Sequence, residues 1–566
     1  MNFTLLRPTA RAYSSSRLTG AILSLVLLVF LHTPAQAARE AIASAHPLAT
    51  EAGLKVLARG GNAFDAAVAV AAALAVVEPY ASGLGGGGFF LLHRASDDFE
   101  VMIDARETAP AKARPDLYVG ADGKADDKAS MEGFKAAGVP GAPAGLAWLA
   151  QRYGRLLLSA TLAPAIHLAR EGFPTDARYA FVVGLREGML KRNPETARVF
   201  LDNGRAPAPG FVLRQPELAR TLEAIAVHGR DGFYRGDVAA RMVAAVQAGG
   251  GIWELDDLGG YRVLERAPQR FVYRGARITC ASLPSSGGLT LAQSLQILER
   301  FPLGSLDAVE RIHLVTEALR RGYQDRARYL GDPDFVQVPE WLSTRAYADR
   351  RAASIDPSRA TSSEKLAALQ REGDNTTHFS VVDAEGNRVA ATLSVNLPFG
   401  AGVIAGDTGV LLNDEMNDFA ITPTTANAYG LTGGSANQVD AGKRPLSSMT
   451  PTFVEDDRGV LVLGTPGGSR IISMVLLGIT DYIDNPQRDI ERLVSAPRYH
   501  HQFLPDRIEY EPEAFPPAWV ESLRAMGHTV QEGRRRWGNM QAVYVERASG
   551  EATAYSDPRA KGGALF

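Results

Sequence analysis

The stretch DNTTHFSVVDAEGN, residues 374–387, contains a strand pattern followed by a turn. Its THFSVV segment alternates in the manner of a β-strand, DAEGN has the composition of a turn, and the VAATLSV that follows alternates again. If the turn pairs Val382 with Arg388, counting back along both strands places Thr376 opposite Ser394. Both side chains then point to one face of the sheet. We therefore predict a hairpin with two hydroxyl groups side by side at its open end.

Thr376 needs a base before its hydroxyl can act as a nucleophile. A pair of threonines in a strand is, by itself, ordinary β-propensity. The sequence has no G-x-S-x-G elbow. Cleavage of the Asn375–Thr376 bond would instead free an α-amine, and such an amine, with an ordinary pKa of about 7.7–8.0, can accept a proton near neutral pH. Self-cleavage at this bond is therefore a hypothesis that the chemistry permits.

The sequence before this hairpin is rich in helix patterns. Residues 63–77 are almost all apolar, follow Asn62 as a candidate N-cap and end before Pro79, which predicts a buried helix. The stretch from about 140 to 350 is mostly helical, whereas strand patterns dominate after residue 375. This distribution predicts sheets covered by helices, an α+β or layered fold.

Composition and charge exclude several classes of protein. The chain has 566 residues, of which 46% are hydrophobic and 22% charged, as is usual for globular proteins. Its formal net charge of −3 gives no reason to expect a nucleic-acid partner. A single cysteine, Cys280, rules out a disulfide within the chain and argues against a cysteine-based metal cluster. We expect no metal and no cofactor.

The N-terminus has the pattern of an export signal. Arg7, Arg11 and Arg17 precede an apolar run over residues 18–31, no acidic residue occurs before Glu40, and an A-x-A cleavage site ends at Ala37. The apolar run is shorter than the roughly 20 residues that a spanning helix needs. We predict a signal peptide over residues 1–37 and an exported, periplasmic protein, with secretion or an uncleaved membrane anchor as the alternatives.

Four further clusters lie outside the hairpin. SGLGGGG at 82–88 contains G-x-G-x-x-G, but it follows a helix and precedes strands, the reverse of the order that dinucleotide binding needs, so we predict close backbone packing near the active site. NDEMND at 413–418 concentrates acids and amides, and KRPLSSM at 443–449 offers paired hydroxyls. GTPGGSR at 464–470 precedes an apolar helix and can present backbone N–H groups to an oxyanion. Each cluster alone is also compatible with an ordinary loop, turn or cap.

Together these stretches resemble the γ-glutamyltransferase family along nearly the whole chain after the signal. Ten ordered motifs carry the resemblance: GNAFDAAVAVAAALAVVEP, SGLGGGGFF, DARETAPAKA, LAPAIHLAREGFP, LPSSGG, NTTHFSVVDAEGN, NLPFGAGV, GVLLNDEMNDF, KRPLSSMTPT and GTPGGSRI. The resemblance implies an N-terminal nucleophile (Ntn) hydrolase fold, a four-layer αββα sandwich. It also implies a zymogen that cleaves itself between Asn375 and Thr376 into a large subunit, 38–375, and a small subunit, 376–566.

The resemblance also implies the catalytic groups. Thr376 would be the nucleophile, Ser394 its hydrogen-bonding neighbour, and Gly467 and Gly468 the oxyanion pair. Many family members have threonine where this chain has Ser394; a serine can still hydrogen-bond the nucleophile, but its χ1 is less constrained.

A second set of residues is implied to bind the glutamyl group. Arg106, Ser447 and Ser448 would hold its α-carboxylate; Asn396, Glu415 and Asp418 its α-ammonium; and Tyr429, in a lid loop, would cover the pocket. Some bacterial members have glutamine where Glu415 stands. A guanidinium suits a carboxylate and carboxylates suit an ammonium, so these residue types agree with the implied substrate.

The implied function is transfer of a γ-glutamyl group through a threonine ester. Donors would be glutathione and other γ-glutamyl compounds, and acceptors would be water, amino acids or peptides. Two alternatives stay open. One is a related acylase that cleaves cephalosporin side chains or other γ-linked amides, and the other is an unprocessed protein that binds γ-glutamyl compounds without turnover.

Overall fold

The computed structural model describes Met1 and residues 39–363, 376–421, 434–485, 487, 489–560 and 563–565, the last of these by backbone only. Residues Arg39–Phe566 form one compact unit. The predicted signal peptide after Met1, Asn375 of the predicted cleavage site and Tyr429 of the predicted lid lie outside the described residues. Within the described ranges, no helix is both long and apolar enough to cross a membrane.

Most helices of the described residues precede residue 363. In chain order they are α1 Pro47–Leu57, α2 Ala63–Val77, α3 Asp127–Met131, α4 Ala142–Arg152, α5 Leu158–Glu171, α6 Ala177–Leu190, α7 Pro194–Phe200, α8 Pro216–His228, α9 Asp231–Tyr234, α10 Gly236–Ala248, α11 Leu255–Gly260, α12 Gly287–Leu298, α13 Ala308–Tyr329, α14 Arg345–Ala353, α15 Arg470–Asp484, α16 Ile490–Ser495 and α17 Pro517–Ala525.

The strands occur on both sides of residue 376. They are β1 Ala41–Ser44, β2 Gly87–Arg94, β3 Phe99–Ala105, β4 Phe173–Pro174, β5 Val212–Leu213, β6 Leu264–Arg266, β7 Gln269–Tyr273, β8 Ala276–Cys280, β9 Thr377–Val382, β10 Arg388–Ser394, β11 Thr452–Glu455, β12 Gly459–Gly464, β13 Tyr499–His500, β14 Ile508–Tyr510, β15 Val530–Glu532, β16 Gln541–Glu546, β17 Ala552–Ser556 and β18 Gly563–Leu565.

Two antiparallel sheets form the centre of the molecule. Among the described residues, the first has seven strands in the order β18-β1-β9-β10-β2-β3-β6, and the second has six in the order β17-β16-β12-β11-β8-β7. The predicted hairpin, β9 and β10, therefore lies in the middle of the first sheet. Both sheets combine strands from before and after Thr376.

The two sheets stack face to face, and helices cover their outer faces. Helix α2 packs on β9 and β10, whereas α12 packs on β7 and β8 and α15 on β12. An apolar cluster that includes Leu91, Val382, Phe453 and Val543 fills the space between the sheets. Side chains alternate between the two faces of a strand, so Val381 packs against the helices while Val382 packs between the sheets. The layer order is the predicted αββα.

Helix α2 begins and ends where the sequence predicts. Asn62 accepts hydrogen bonds from the backbone N–H groups of Phe64 and Asp65, and Asp65 accepts one from the backbone N–H of Asn62. This capping box satisfies N–H groups that the first turn leaves without helical partners. Every residue of the helix is buried, as its uniformly apolar sequence predicts. The fully buried helix therefore packs against the central hairpin.

Candidate functional site

Thr376 immediately precedes β9, and its side chain lies beside that of Ser394 at the end of β10. The hairpin pairs Val382 with Arg388, as predicted. Continuing this register brings Thr376 Oγ1 to 3.5 Å from Ser394 Oγ. Both residues are buried, with 5% and 4% of their surface exposed. The prediction of two adjacent hydroxyl groups is confirmed.

The glycine-rich stretch 82–88 lets backbone segments meet next to this pair. A Cβ on Gly86 would lie 2.1 Å from the carbonyl oxygen of Ser394, and one on Gly85 would lie 1.9 Å from that of Leu411. No side chain fits at such distances, so glycine is required for steric reasons. The stretch continues into strand β2 rather than a helix. It is a site of close backbone packing, as predicted, and not a dinucleotide-binding turn.

A small pocket lies beside Thr376. The predicted site residues that line it are Arg106, Thr376, Ser394, Asn396, Glu415, Asp418, Ser447, Ser448 and Gly468. Sequence analysis missed its remaining lining residues, which are Arg326, Leu446, Met449 and Ile471. Gly467 precedes Gly468 in the chain but is not one of the lining residues.

Arg106 is a buried arginine that directly follows β3 and is held by carboxylates. Its Nη1 lies 2.7 Å from Glu415 Oε2, and its Nη2 lies 2.5 Å from Asp418 Oδ2. Its Nε donates to the carbonyl oxygen of Pro445 at 3.3 Å. Arg106 and Asp418 are 312 residues apart in sequence, so the fold creates this cluster and no local sequence pattern does.

Burial and mutual attraction perturb the charges of this cluster. Burial raises the pKa of Glu415 well above its ordinary value, although Arg106 opposes the shift. Burial also raises the pKa of the neighbouring Glu107 to about 7. Burial disfavours the charge of Arg106, but attraction to Glu415, Glu107 and Asp418 outweighs it and raises the arginine pKa. A permanently charged guanidinium therefore lies beside two carboxyl groups whose pKa values burial raises.

Asn396 is fixed in an unusual backbone conformation two residues after the end of β10. Its φ is 73°, in the left-handed region that asparagine tolerates better than most residues. Its backbone N–H donates to Ser394 Oγ at 2.8 Å, and its Nδ2 donates to the carbonyl oxygen of Asp414 at 3.0 Å. Asp414 Oδ1 in turn accepts the backbone N–H of Leu397 at 2.9 Å. These bonds orient the Asn396 side chain along the pocket wall.

A glycine turn connects β12 to α15 on another side of the pocket. Gly467 has φ 141° and Gly468 has φ 54°, conformations that favour glycine. The hydroxyl of Tyr323 donates to the carbonyl oxygen of Ser469 and so holds the end of the turn. Helix α15 follows at Arg470. Backbone N–H groups at the start of a helix of this length are suited to stabilise negative charge.

Ser447 and Ser448 lie on a loop that a second loop supports. The backbone N–H of Ser447 donates to the carbonyl oxygen of Pro284 at 2.9 Å. Ser286 Oγ donates to the carbonyl oxygen of Ser447 at 2.6 Å. Ser448 Oγ lies 3.4 Å from Arg326 Nη2. The LPSSGG motif, separate in sequence, therefore supports the KRPLSSM loop, whose residues line one wall of the pocket.

Three side chains elsewhere in the described residues lie close enough together to bind one metal ion, but they contact one another and neighbouring arginines. His313, Glu317 and His528 could supply three ligand atoms to one ion. However, His313 Nδ1 and His528 Nε2 share a hydrogen bond of 2.7 Å. Glu317 is ion-paired with Arg320 at 3.1 Å and Arg321 at 2.6 Å. Two arginines beside the carboxylate make this a poor position for a cation.

Comparison with known proteins agrees with this geometry. The family model described as gamma-glutamyltranspeptidase matches residues 49–566. This chain belongs to the γ-glutamyltranspeptidase family. A relative named glutathione hydrolase proenzyme, from Escherichia coli (strain K12), is 41% identical over 537 residues, which are 93% of this chain and 91% of the relative.

Solved structures place the chain in the same fold. A cephalosporin acylase from Bacillus halodurans superposes with a TM-score of 0.81 and 26% identity over 99% of each chain. A γ-glutamyltranspeptidase from Helicobacter pylori has a TM-score of 0.55 and 40% identity over 56% of this chain and 92% of that chain. The fold is that of the Ntn hydrolases, and the predictions of family, fold class and enzymatic nature are confirmed.

Proposed function

We propose that this γ-glutamyltranspeptidase family member is a self-processed γ-glutamyltransferase and glutathione hydrolase. The observation that carries the proposal is one pocket in which the Thr376 hydroxyl shares the lining with a buried arginine and two carboxylates. A nucleophile beside a site of paired opposite charges fits an acyl donor that is itself a zwitterion. Such charge complementarity selects substrates more than it adds raw affinity.

Maturation is cleavage of the bond between Asn375 and Thr376. It produces a large subunit of residues 38–375 and a small subunit of residues 376–566, and it frees the α-amine of Thr376. This amine is the base that takes the proton of the Thr376 hydroxyl. Ser394 supports the reaction: its Oγ accepts the N–H of Asn396 at 2.8 Å, and its own hydroxyl can donate to Thr376 Oγ1.

The donor is held by both charges on its α-carbon. Arg106, Ser447 and Ser448 bind the α-carboxylate. Asn396, Glu415 and Asp418 bind the α-ammonium. When the donor enters, its carboxylate replaces part of the contact that Glu415 and Asp418 make with Arg106, and its ammonium compensates those two carboxylates. Holding both groups aims the γ-carbonyl at Thr376. Tyr429, in the predicted lid, would cover the bound glutamyl group.

Acyl transfer then proceeds in two steps. Thr376 Oγ1 attacks the γ-carbonyl carbon, and the N–H groups of Gly467 and Gly468 stabilise the oxyanion. The C–N bond breaks, the leaving amine takes the proton from the α-amine, and a γ-glutamyl ester remains. Water, an amino acid or a peptide next attacks the ester, loses its proton to the same amine and regenerates Thr376.

The partners are therefore small molecules and the two subunits of one precursor. Donors are glutathione and other γ-glutamyl compounds, and no nucleic acid, metal or cofactor takes part. The signal pattern of residues 1–37 supports export, with the periplasm as the destination.

The decisive experiment combines fragment sequencing with activity. On a denaturing gel, purified protein is expected to give two fragments, the smaller starting at Thr376, and to release p-nitroaniline from γ-glutamyl-p-nitroanilide. Thr376→Ala should give one uncleaved band and no turnover, whereas Thr376→Ser, which keeps a hydroxyl, should still be cleaved. Active wild-type protein with an intact 375–376 bond would contradict the mechanism, and an intact chain that only binds γ-glutamyl compounds would make it a binding protein.

A related acylase is the second candidate, because the cephalosporin acylase superposes over 99% of the chain. Rates measured side by side on γ-glutamyl and glutaryl p-nitroanilides separate the two functions. A glutaryl group keeps the carboxylate but lacks the ammonium, so an acylase is expected to prefer it. The carboxylates at Glu415 and Asp418 favour the γ-glutamyl donor.

A further inference from the structure

Arg326 is a second buried arginine in the pocket, and no step of the proposed mechanism uses it. It lies in the last turn of α13 and lines the pocket together with Arg106 and Thr376. Only 4% of its surface is exposed. Burial lowers its pKa to about 10, so the guanidinium stays charged at neutral pH. A buried charge usually has an opposite charge or several strong hydrogen bonds to compensate it.

Unlike Arg106, Arg326 is held by hydroxyl groups. Its Nε donates to Ser286 Oγ at 2.9 Å, and its Nη2 lies 3.4 Å from Ser448 Oγ. In the part of the chain that the structure describes, no carboxylate forms an ion pair with it. Hydroxyl groups do not neutralise a charge, and although the Asp418 carboxylate attracts Arg326, the positive field of the guanidinium extends into the pocket that both residues line.

The hydrogen bonds around Arg326 have a defined direction. Ser286 Oγ accepts from Arg326 Nε and donates to the carbonyl oxygen of Ser447 at 2.6 Å, so both roles of that hydroxyl are used. Ser448 Oγ accepts from Arg326 Nη2, and its proton has no acceptor among the described residues. A hydroxyl that accepts from a cation becomes a stronger donor. Ser448 lines the pocket, so its proton is available to a ligand that binds there.

The same face of α13 also supports the glycine turn. Tyr323 lies three residues before Arg326, on the same side of the helix, and its hydroxyl donates to the carbonyl oxygen of Ser469. Helix α13 thus contacts the oxyanion turn through Tyr323 and the serine loop through Arg326. This placement fits a role for Arg326 in the binding half of the site.

We propose that Arg326 is a positioning residue that makes Ser448 a hydrogen-bond donor to the α-carboxylate of the γ-glutamyl group and thereby selects donors that carry this carboxylate. The inference rests on the proposed function, because it assigns Ser448 to that carboxylate. Arg326 acts through Ser448 and through its charge, and it does not touch the reacting atoms.

The test uses three donors that differ by one group each. γ-Glutamyl-p-nitroanilide has both charges, glutaryl-p-nitroanilide lacks the ammonium, and 4-aminobutyryl-p-nitroanilide lacks the carboxylate. KM and kcat are measured for the mature wild type, Arg326→Met, Arg326→Lys and the control Arg328→Met. Arg328 lies in the same helical turn but is exposed, and it packs over Tyr329 at 5.4 Å. Where a truncated donor reacts too slowly, glutarate or 4-aminobutyrate is measured as a competitive inhibitor.

The expected result is a loss confined to ligands with the carboxylate. In Arg326→Met, KM for the γ-glutamyl and glutaryl donors should rise about 10- to 100-fold, as for loss of a charged hydrogen-bond partner, with kcat changed less than about threefold. Values for the 4-aminobutyryl ligand should stay within about threefold, and Arg326→Lys should recover most of the loss because it keeps the charge. The Arg328 control should match the wild type.

A purely structural role would give a different pattern. Arg326→Met would then weaken all three ligands equally, and that outcome overturns the proposal. If the methionine variant does not mature into two fragments, the loss that remains in Arg326→Lys decides: a remaining loss that is larger for the two carboxylate ligands than for the 4-aminobutyryl ligand supports the role, and no such difference refutes it. A wild type that is inactive on γ-glutamyl donors would refute the proposed function itself, whereas an active wild type with an unselective variant refutes only this inference.

Discussion

Replacing Arg106 by methionine should weaken both donor binding and the fold around the pocket. The guanidinium lies 2.7 Å from Glu415 and 2.5 Å from Asp418 in a buried setting. Removing one partner of a buried pair leaves uncompensated charge and costs about 3–5 kcal/mol of stability. Loss of the charged partner of the donor carboxylate costs about 2–5 kcal/mol, which corresponds to roughly 30- to 5,000-fold in kcat/KM.

The stability that Arg106→Met loses should increase with pH. Burial raises the pKa of Glu107 and Glu415, and Arg106 holds both values down. Without the arginine, both carboxyl groups keep their protons to higher pH, and in the neutral form they need no cation. The Arg106→Met variant should therefore lose more stability at about pH 8 than at about pH 5.5.

Urea unfolding at both pH values and p-nitroaniline release measure these effects. Arg114→Met is the matched control, because Arg114 directly follows the motif that contains Arg106 but is exposed and contacts the exposed Asp116 at 3.4 Å. Its stability should change by less than about 0.5 kcal/mol. The reasoning is refuted if Arg106→Met keeps kcat/KM within about threefold of the wild type, or if its stability equals that of the control.

Three further changes have distinct expected outcomes. Asp418→Asn should raise KM about 10- to 100-fold for the γ-glutamyl donor but much less for the glutaryl donor, as measured by steady-state kinetics, because only the first has an ammonium. Gly86→Ala should prevent maturation into two fragments on a gel, because its Cβ would lie 2.1 Å from the carbonyl oxygen of Ser394. The control Gly188→Ala, whose new Cβ has no atom within 4 Å, should still mature into two fragments. Glu107 has its pKa raised by burial from 4.5 to about 7, so its ionisation destabilises the fold above that pH and not below 4.5. Glu107→Gln should therefore stabilise the protein by about 1–3 kcal/mol at about pH 8, with little effect at about pH 4.5, in urea titrations.

Local chemistry made part of the fold predictable. A turn between two alternating strands gave the register that places Thr376 beside Ser394, because a slip of one residue would reverse every side chain. An Asn62 cap and an apolar run gave the ends of helix α2. In both cases, neighbouring residues determine the structure.

The order of the strands could not be predicted from the same signals. Strand β1, Ala41–Ser44, is too short to show alternation, yet it pairs with both β9 and β18 in the first sheet. Strands β7 and β8 lie in the stretch from 140 to 350, where helical patterns dominate. Pairings over hundreds of residues depend on the packing of the whole core, which no short window contains.

In the candidate site, too, some positions follow from the local sequence and others depend on the whole fold. The residues around Thr376 follow from the hairpin, but the contact of Arg106 with Asp418 spans 312 residues, and only the family resemblance indicated it. Arg326 was missed because it is one of several arginines in a long helix, and nothing in its local sequence distinguishes the buried one.

The position of β1 between β9 and β18 also bears on what the maturation cut can achieve. Hydrolysis of one peptide bond would leave two polypeptides that both contribute strands to the same two sheets. Strands of one polypeptide would then pair with strands of the other in each sheet. Separating the two polypeptides would break hydrogen bonds between neighbouring strands in both sheets at the same time. Separation of the pieces is thus the same event as denaturation, and neither piece made alone has the neighbours it needs to acquire its shape.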